Sequence, residues 1–294
     1  LLTTTALACT APLVLAPAMN VHMYEAAATR YNIGKLGIRG AVFVEADEGY
    51  LACGDTGAGK MPEPETLFQY ICKTIAHEKD MAGMKVLVTA GPTQEAIDPV
   101  RYITNHSSGK MGYSIAKTCM LRGADVTLVT GRTALDAPLF VNTVPVISAK
   151  DMYEEVTSRS HDMDIIIKAA AVADYRPCNV ADEKIKKKEG DVMSIPLERT
   201  DDILKYLGEH KEPHQFLCGF SMETQNMLEN SKKKLMKKNL DMIVANNLKK
   251  QGAGFETDTN IVTMITQNEV FELELMSKEE VAFHLLDKIL ELRK

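Results

Sequence analysis

The sequence predicts an α/β protein built around a parallel sheet. Three observations carry that reading. Short apolar, β-branched runs recur along the chain: Met84–Ala90, Asp125–Thr130 and Met163–Ala171. Helix-period segments separate them, and turn residues such as Gly91-Pro92 and Gly123 punctuate the joins. Strands alternating with helices at this spacing call for the crossover connections that parallel sheets use.

The elements follow in order. The apolar stretch Leu1–Asn20 lacks a basic segment and an initiator Met, and Pro12 and Pro17 interrupt it, unlike a signal peptide. Ala11–Pro17 reads as a buried strand entering a loop, inside a domain whose earlier part lies before residue 1. A helix is expected from Asn20 to about Asn32, and a Gly-rich stretch from Gly49 to Pro64. A helix from Glu65 to about Glu78 carries Leu67, Phe68, Ile71, Cys72 and Ile75 on one face. The polar run His77–Asp80 and Gly83 make a linker, which divides the chain into 1–83 and 84–294. In the second part a helix is expected from about Ser108 to Arg122, stopped by Gly123. Another helix begins at Ser148, and another runs from about Glu223 to Asn239. Asp241–Ala245 reads as a strand, and Ile261–Ile265 with Val270–Leu275 as a hairpin. A last helix is capped by Ser277 and Glu280.

Composition narrows the function. With 294 residues, 45% of them hydrophobic, the chain can bury a sizeable core. A net charge of −6, from 34 basic and 40 acidic side chains, gives no basic field and argues against nucleic acid as a partner. No apolar run beyond the first residues is long enough to span a bilayer, so no membrane partner is expected. The six cysteines include no C-x-x-C pair, which argues against a zinc ribbon or disulfide scaffold and points to a reducing cytoplasm.

Five motifs could carry chemistry. Gly91-Pro92-Thr93 with Asn105–Gly112 is a strand, a turn and a Ser/Gly-rich helix entry, the way α/β folds present N–H groups to phosphate. It also reads as plain helix capping by Ser107 or Ser108. It is neither a Walker A loop nor G-x-G-x-x-G, which disfavours a dinucleotide dehydrogenase. Lys168–Pro177 is a strand ending in small residues and then Asp174, which suits a base, sugar or metal contact, or an incidental surface turn. Lys184–Lys188 places Lys184 and Lys186 on one side of an extended run, toward phosphates or toward solvent. Lys234 and Lys238 share a helix face, again as phosphate ligands or a solubilising surface. The Gly-rich loop around Cys53 suggests a mobile flap presenting a thiol as an acid, or an inert thiol in an ordinary loop.

Together these motifs resemble the bacterial bifunctional enzymes that join phosphopantothenoylcysteine decarboxylase to phosphopantothenate–cysteine ligase. Pro17–Asn20 and Ala52–Pro64 look like the second half of the flavoprotein decarboxylase. The segment from Lys85 onward, with Gly91-Pro92-Thr93, Asn105–Gly112, Ala170–Pro177, Lys184 and Gly219-Phe220, looks like the ligase. The resemblance implies a Rossmann-like ligase domain at 84–294, preceded by the C-terminal part of a flavodoxin-like decarboxylase at 1–83. It implies a CTP-dependent ligation of 4′-phosphopantothenate with L-cysteine through an acyl-cytidylate. Mg²⁺ would assist, and FMN would serve the decarboxylase of the full-length protein.

Residue by residue, it implies catalytic roles for Asn105 and Lys184, and a proton donor at Cys53. It implies CTP contacts at Lys168, Ala169, Ala170, Asp174, Lys184, Asp202, Ile203, Leu204, Lys205, Phe220, Lys234 and Lys238. It implies substrate contacts at Asn20, Asn105, Ser107, Ser108 and Gly109, and leaves the metal ligands unassigned. A homodimer through the ligase domain is also implied, with larger assemblies through a complete decarboxylase. Two positions depart from the family: Lys60 where Arg is usual, and Met222 where Ala is usual.

Overall fold

The computed structural model describes residues 1–51, 54–186, 193–223, 226–247 and 257–293. The chain divides into two compact units, Leu1–Lys79 and Asp80–Lys294.

In the first unit, Val14–Leu15 pairs in parallel with Val42–Phe43. The single helix expected from Asn20 forms instead as two, Val21–Glu25 and Ala27–Ile38, because Ala26 turns extended between them. Asn20 caps the first, its Oδ1 accepting from the His22 N–H at 2.9 Å. Leu2–Ala8 is a helix that the sequence reading did not assign, and of Ala11–Pro17 only Val14–Leu15 is strand, half-buried where a buried strand was expected. Asp47–Tyr50 and Thr56–Lys60 form an antiparallel hairpin where a Gly-rich flap was expected. The backbone supplies the reason: the Met19 N–H donates to the Gly59 carbonyl at 3.0 Å and fixes that strand to its neighbour. Pro64–Ile75 is a helix opened by proline.

The second unit holds an eight-stranded sheet. Its strands in chain order are β1 Lys85–Ala90, β2 Asp125–Thr130, β3 Asn142–Pro145, β4 Ile165–Lys168, β5 Phe216–Glu223, β6 Met242–Asn247, β7 Val262–Ile265 and β8 Val270–Glu272. Their spatial order is β8-β7-β6-β5-β4-β1-β2-β3. The six strands from β3 to β6 are parallel, in the order of a Rossmann-type sheet. The β7–β8 hairpin extends the sheet antiparallel beyond β6.

Helices α1 Lys110–Leu121, α2 Ala149–Arg159, α3 Ile203–Glu209, α4 Met227–Lys237 and α5 Lys278–Leu292 cover the sheet. Leu87, Ile166, Leu217 and Ile243 point to one face, where Met152, Leu204 and Leu235 of α2, α3 and α4 pack on them. Their strand neighbours point the other way, where α1 lies against β1, β2 and α5. Both faces are therefore apolar, as central parallel strands require.

Four elements of this unit differ from the sequence reading. Central strand β5 was missed because Gly219, Ser221 and Met222 interrupt its β-pattern. Short β3 and α3 were missed as well. The helix expected from Glu223 starts at Met227, because Glu223 still belongs to β5 and Asn226 takes a left-handed turn before the helix.

Candidate active site

At the centre of the sheet β1 and β4 lie side by side, and the chain leaves them toward opposite flanks. A crevice therefore opens beyond their carboxyl ends, the place where open α/β sheets bind ligands.

Hydrogen bonds stitch the turns after these two strands. The Ala171 N–H donates to the Gly91 carbonyl at 3.0 Å, and the Thr93 N–H to the Ala171 carbonyl at 3.3 Å. The Ala170 N–H donates to Thr89 Oγ1 at 3.1 Å, and the Ala173 N–H to Thr93 Oγ1 at 3.0 Å. Asn105 joins this net with both ends of its amide. Its Nδ2 donates to the Ala171 carbonyl at 2.7 Å, while its Oδ1 accepts from the Ser107 N–H at 3.1 Å.

The Ser-Ser-Gly turn then opens α1, although neither serine is the cap. Gly109 holds that position with φ of 79°, which a side chain would disfavour, and its N–H donates to Ser107 Oγ at 3.4 Å. One turn later, a Cβ on Gly112 would stand 2.6 Å from Ala90 Cβ. Only glycine lets α1 begin so close to the end of β1.

The crevice has two lobes, of about 260 and 390 Å³, which share Lys168, Val172, Asp174 and Lys234. The first is lined by residues 107–112 at the start of α1, by Ala169–Ala171, and by Phe220 at the end of β5. The second is lined by Asp202, Ile203 and Leu204 at the start of α3, and by Lys238.

Charge concentrates where the lobes meet. Burial, and next the nearby Lys234, pull the Lys168 pKa down to about 8. Lys238 pairs with Asp202. Burial would raise the Asp202 carboxyl, but the bonds from Lys238 and from the Lys205 N–H outweigh it and hold it below the usual carboxylate range.

The structure gathers most of the sequence-predicted residues here: Ser107, Ser108, Gly109, Lys168, Ala169, Ala170, Asp174, Asp202, Ile203, Leu204, Phe220, Lys234 and Lys238 line the two lobes. Asn105 stands behind the lining. The Lys205 N–H donates to Asp202 Oδ1, the cap of α3, at 2.9 Å, while the Lys205 side chain lies near Glu209. Lys184 is exposed on a loop whose next residue, Ile185, is clamped. The Ile185 N–H donates to Asp98 Oδ2 at 3.1 Å, and Arg101 Nη2 donates to the Ile185 carbonyl at 2.9 Å. Asn20 belongs to the first unit, where its Nδ2 donates to Asp55 Oδ2 at 3.0 Å. Cys53, Lys187 and Lys188 lie outside the described residues.

Sequence reasoning missed Lys110, Asn246, Asn260 and Lys278, all of which line the first lobe. Asn246 lies in the last two residues of strand β6, at the same end of the sheet where Asp174 follows β4, a signal that could have found it. Its buried Oδ1 has no hydrogen-bond partner among the described residues. Among the described residues, no group of three or more His, Cys, Asp or Glu side chains could hold a metal, and no helix is long and apolar enough to cross a membrane.

Comparison with known proteins agrees with this geometry. Residues 81–292 match the family model described as DNA/pantothenate metabolism flavoprotein C-terminal domain, and residues 1–76 match that described as Flavoprotein. The chain is 50% identical to the coenzyme A biosynthesis bifunctional protein CoaBC of Bacillus subtilis, over 100% of this chain and 73% of that protein. It is 45% identical to CoaBC of Haemophilus influenzae, over 99% of this chain and 72% of that one. Among solved structures, a C-terminal domain of CoaBC superposes with a TM-score of 0.61 at 50% identity, covering 71% of this chain and 95% of that one. The DNA/pantothenate metabolism flavoprotein of Streptococcus pneumoniae superposes with a TM-score of 0.62 at 29% identity, covering 71% of this chain and 99% of that one. A two-unit chain with a Rossmann-type sheet and this degree of identity belongs to the CoaBC family of bifunctional coenzyme A biosynthesis proteins.

Proposed function

We propose that the second unit, from about residue 84, joins 4′-phosphopantothenate to L-cysteine, with CTP as the activating nucleotide. The observation that carries this reading is the two-lobed crevice at the β1/β4 divergence, cationic where the lobes meet and lined by small residues between them. A ligase of this kind must bring two anions together, and the arrangement suits that task.

The triphosphate fits the lobe of Lys168, Lys234 and Lys238, whose charges offset its own. The phosphorylated acyl substrate fits the other lobe, its phosphate toward the N–H groups that open α1. Asn246, with an acceptor still to satisfy, suits an N–H or O–H of the pantothenate arm. The bare methyls of Ala169–Ala171 let the carboxylate approach the α-phosphate. A carboxylate oxygen then attacks the α-phosphorus, and the bond to pyrophosphate breaks. Next the cysteine amine attacks the acyl carbon, CMP leaves, and the amine gives up its proton. Asn105 holds the turn after β4 in register with the start of α1 during both steps.

Asp174, Asp201 and Asp202 are the carboxylates on the nucleotide lobe. They suit a Mg²⁺ that draws most of its ligands from phosphates and water, and such an ion would screen the triphosphate charge. The first unit we assign to the decarboxylase activity, with Asn20 as a substrate contact and Cys53 as proton donor. FMN, when bound there, supplies electron-accepting chemistry. A homodimer of the second unit is supported by Val100, Tyr102, Tyr175 and Leu197, which are exposed on or beside two of its small ribbons, Glu95–Ala96 with Tyr102–Ile103 and Tyr175–Pro177 with Leu197–Arg199.

The test is pyrophosphate release from CTP or ATP with 4′-phosphopantothenate, with and without cysteine. Release that needs 4′-phosphopantothenate and favours CTP supports the reading; no release with either nucleotide overturns it.

A further inference from the structure

The ribbon of Glu95–Ala96 with Tyr102–Ile103 has a tight tip, closed by the Ile97 N–H donating to the Arg101 carbonyl at 2.8 Å. Asp98 sits in this tip and is only 3% exposed. A carboxylate so buried must be paired and surrounded by donors. Its Oδ1 accepts from the N–H groups of Val100 at 2.9 Å and Arg101 at 2.8 Å. Its Oδ2 accepts from Arg101 Nε at 3.0 Å and from Arg101 Nη2. The bonds from the Arg101 side chain hold the carboxyl well below the usual carboxylate range, although burial opposes them.

Oδ2 takes one more donor from far outside the tip, the Ile185 N–H at 3.1 Å. Arg101 Nη2 donates to the Ile185 carbonyl at 2.9 Å, and the Ala181 N–H donates to the Ile97 carbonyl at 3.0 Å. The tip thus grips both backbone groups of Ile185 and a second point four residues earlier. Among the described residues, no helix or strand runs through 178–186, so order there depends on bonds to other segments. Lys184, exposed beside Ile185, sits inside the gripped stretch. Asp98 itself lines neither lobe of the crevice. A long lysine loses less conformational freedom on meeting a ligand when its backbone is already fixed.

We propose, resting on the ligase reading above, that Asp98 is a positioning residue for ligation. From the buried tip it fixes the backbone at Ile185 and so presents Lys184 to the nucleotide. Its effect on turnover passes through Lys184. One ribbon then serves both ends of the reaction, since it holds the Lys184 segment at its tip and leads at its foot into Asn105.

A double-mutant cycle separates this role from a merely structural one. The kcat for ligation is measured for the unsubstituted protein, Asp98→Asn, Lys184→Ala and the double variant. Asp98→Asn keeps the volume but replaces an accepting oxygen with a donor. Alone it should lower kcat roughly ten- to hundredfold, the range for loss of a charged hydrogen bond. In the Lys184→Ala background it should cost less than about twofold. Hydrogen exchange of the Ile185 amide should quicken in both backgrounds. Equal losses of kcat in the two backgrounds overturn the proposal, and so does an Asp98→Asn variant that keeps its full rate or its slow exchange at Ile185. Ile185→Pro deletes the gripped N–H and leaves the bonds inside the tip, so it tests the idea even if Asp98→Asn folds poorly. It should show the same dependence on Lys184. If the unsubstituted protein releases no pyrophosphate, the ligase reading fails, and equilibrium dialysis of CTP over the same four proteins decides the role of Asp98. Weakening by Asp98→Asn only where Lys184 is present supports it, and equal weakening in both backgrounds, or none, overturns it.

Discussion

The carboxamide nitrogen of Asn105 donates to the carbonyl of Ala171 at 2.7 Å, joining the approach to α1 to the turn after β4. Asn105→Asp puts a charged acceptor against that carbonyl and abolishes the bond. Neither Asn105 nor Ala171 lines the nucleotide lobe, so activation of the carboxylate should continue while the acyl group is presented badly to cysteine. The expected outcome is a fall in ligated product on the order of 10²–10³, with acyl-cytidylate accumulating. Quenching a reaction with labelled CTP and separating the nucleotide species checks it.

Lys168 gives a pH-dependent prediction. Its pKa near 8 means that above this pH the empty protein holds it largely neutral. A bound triphosphate favours the charged form and raises that pKa, so nucleotide binding between about pH 8 and 9.5 should take up a proton. Calorimetry in buffers of different ionisation enthalpy measures the uptake, and Lys168→Met should remove it. For folding the sign is the reverse of a stabilising salt bridge. The folded pKa lies below that of the unfolded chain, so this residue's contribution to stability rises with pH between the two values.

Lys184 is exposed, so Lys184→Ala should leave stability within about 0.5 kcal/mol. If the side chain meets the nucleotide during turnover, activity should still fall on the order of 10²–10³. A melting curve and a rate for the same preparation decide this. Loss of both together would mark the position as structural.

Gly112→Ala forces a methyl to within 2.6 Å of Ala90 Cβ and 2.9 Å of the Thr89 carbonyl. The start of α1 must lift from β1, at a cost of about 1–3 kcal/mol. Urea denaturation should show that loss, and the KM for 4′-phosphopantothenate should rise because the helix N–H groups move with it.

CTP should support ligation far better than ATP, since polar groups set to pair with a pyrimidine edge are left unpaired by a purine, at a cost of several kcal/mol, about 2–4. Steady-state comparison of the two nucleotides is the measurement.

Much of this was legible in the residues. β1, β2 and the Ser277–Glu280 capping box on α5 were readable because each is local: an apolar run, or a cap three residues from its partner. Lys168, Asp174, Lys234 and Lys238 were readable from motifs and resemblance, and they meet in one crevice. β5 was not legible, since a strand buried on both faces by parallel neighbours tolerates Gly219 and Ser221, and only the sheet reveals it. Lys278 was not legible either. A lysine opening a helix reads as solvated, and its burial depends on the packing of α5 against α1, far earlier in the chain. Asn105 was legible as important, but the direction of its amide depends on Ala171, far along the chain.

The first lobe draws one wall from the opening of α1 and the other from the opening of α5, the final helix described. Its completion is therefore a matter of timing. While the protein is being synthesised, the lysine-lined half of the crevice can take shape as soon as α4 has folded. The opposite half stays open to water until the last helix emerges and docks beside α1. A nascent or shortened chain that stops before Lys278 would carry a nucleotide pocket with no back wall for its second substrate.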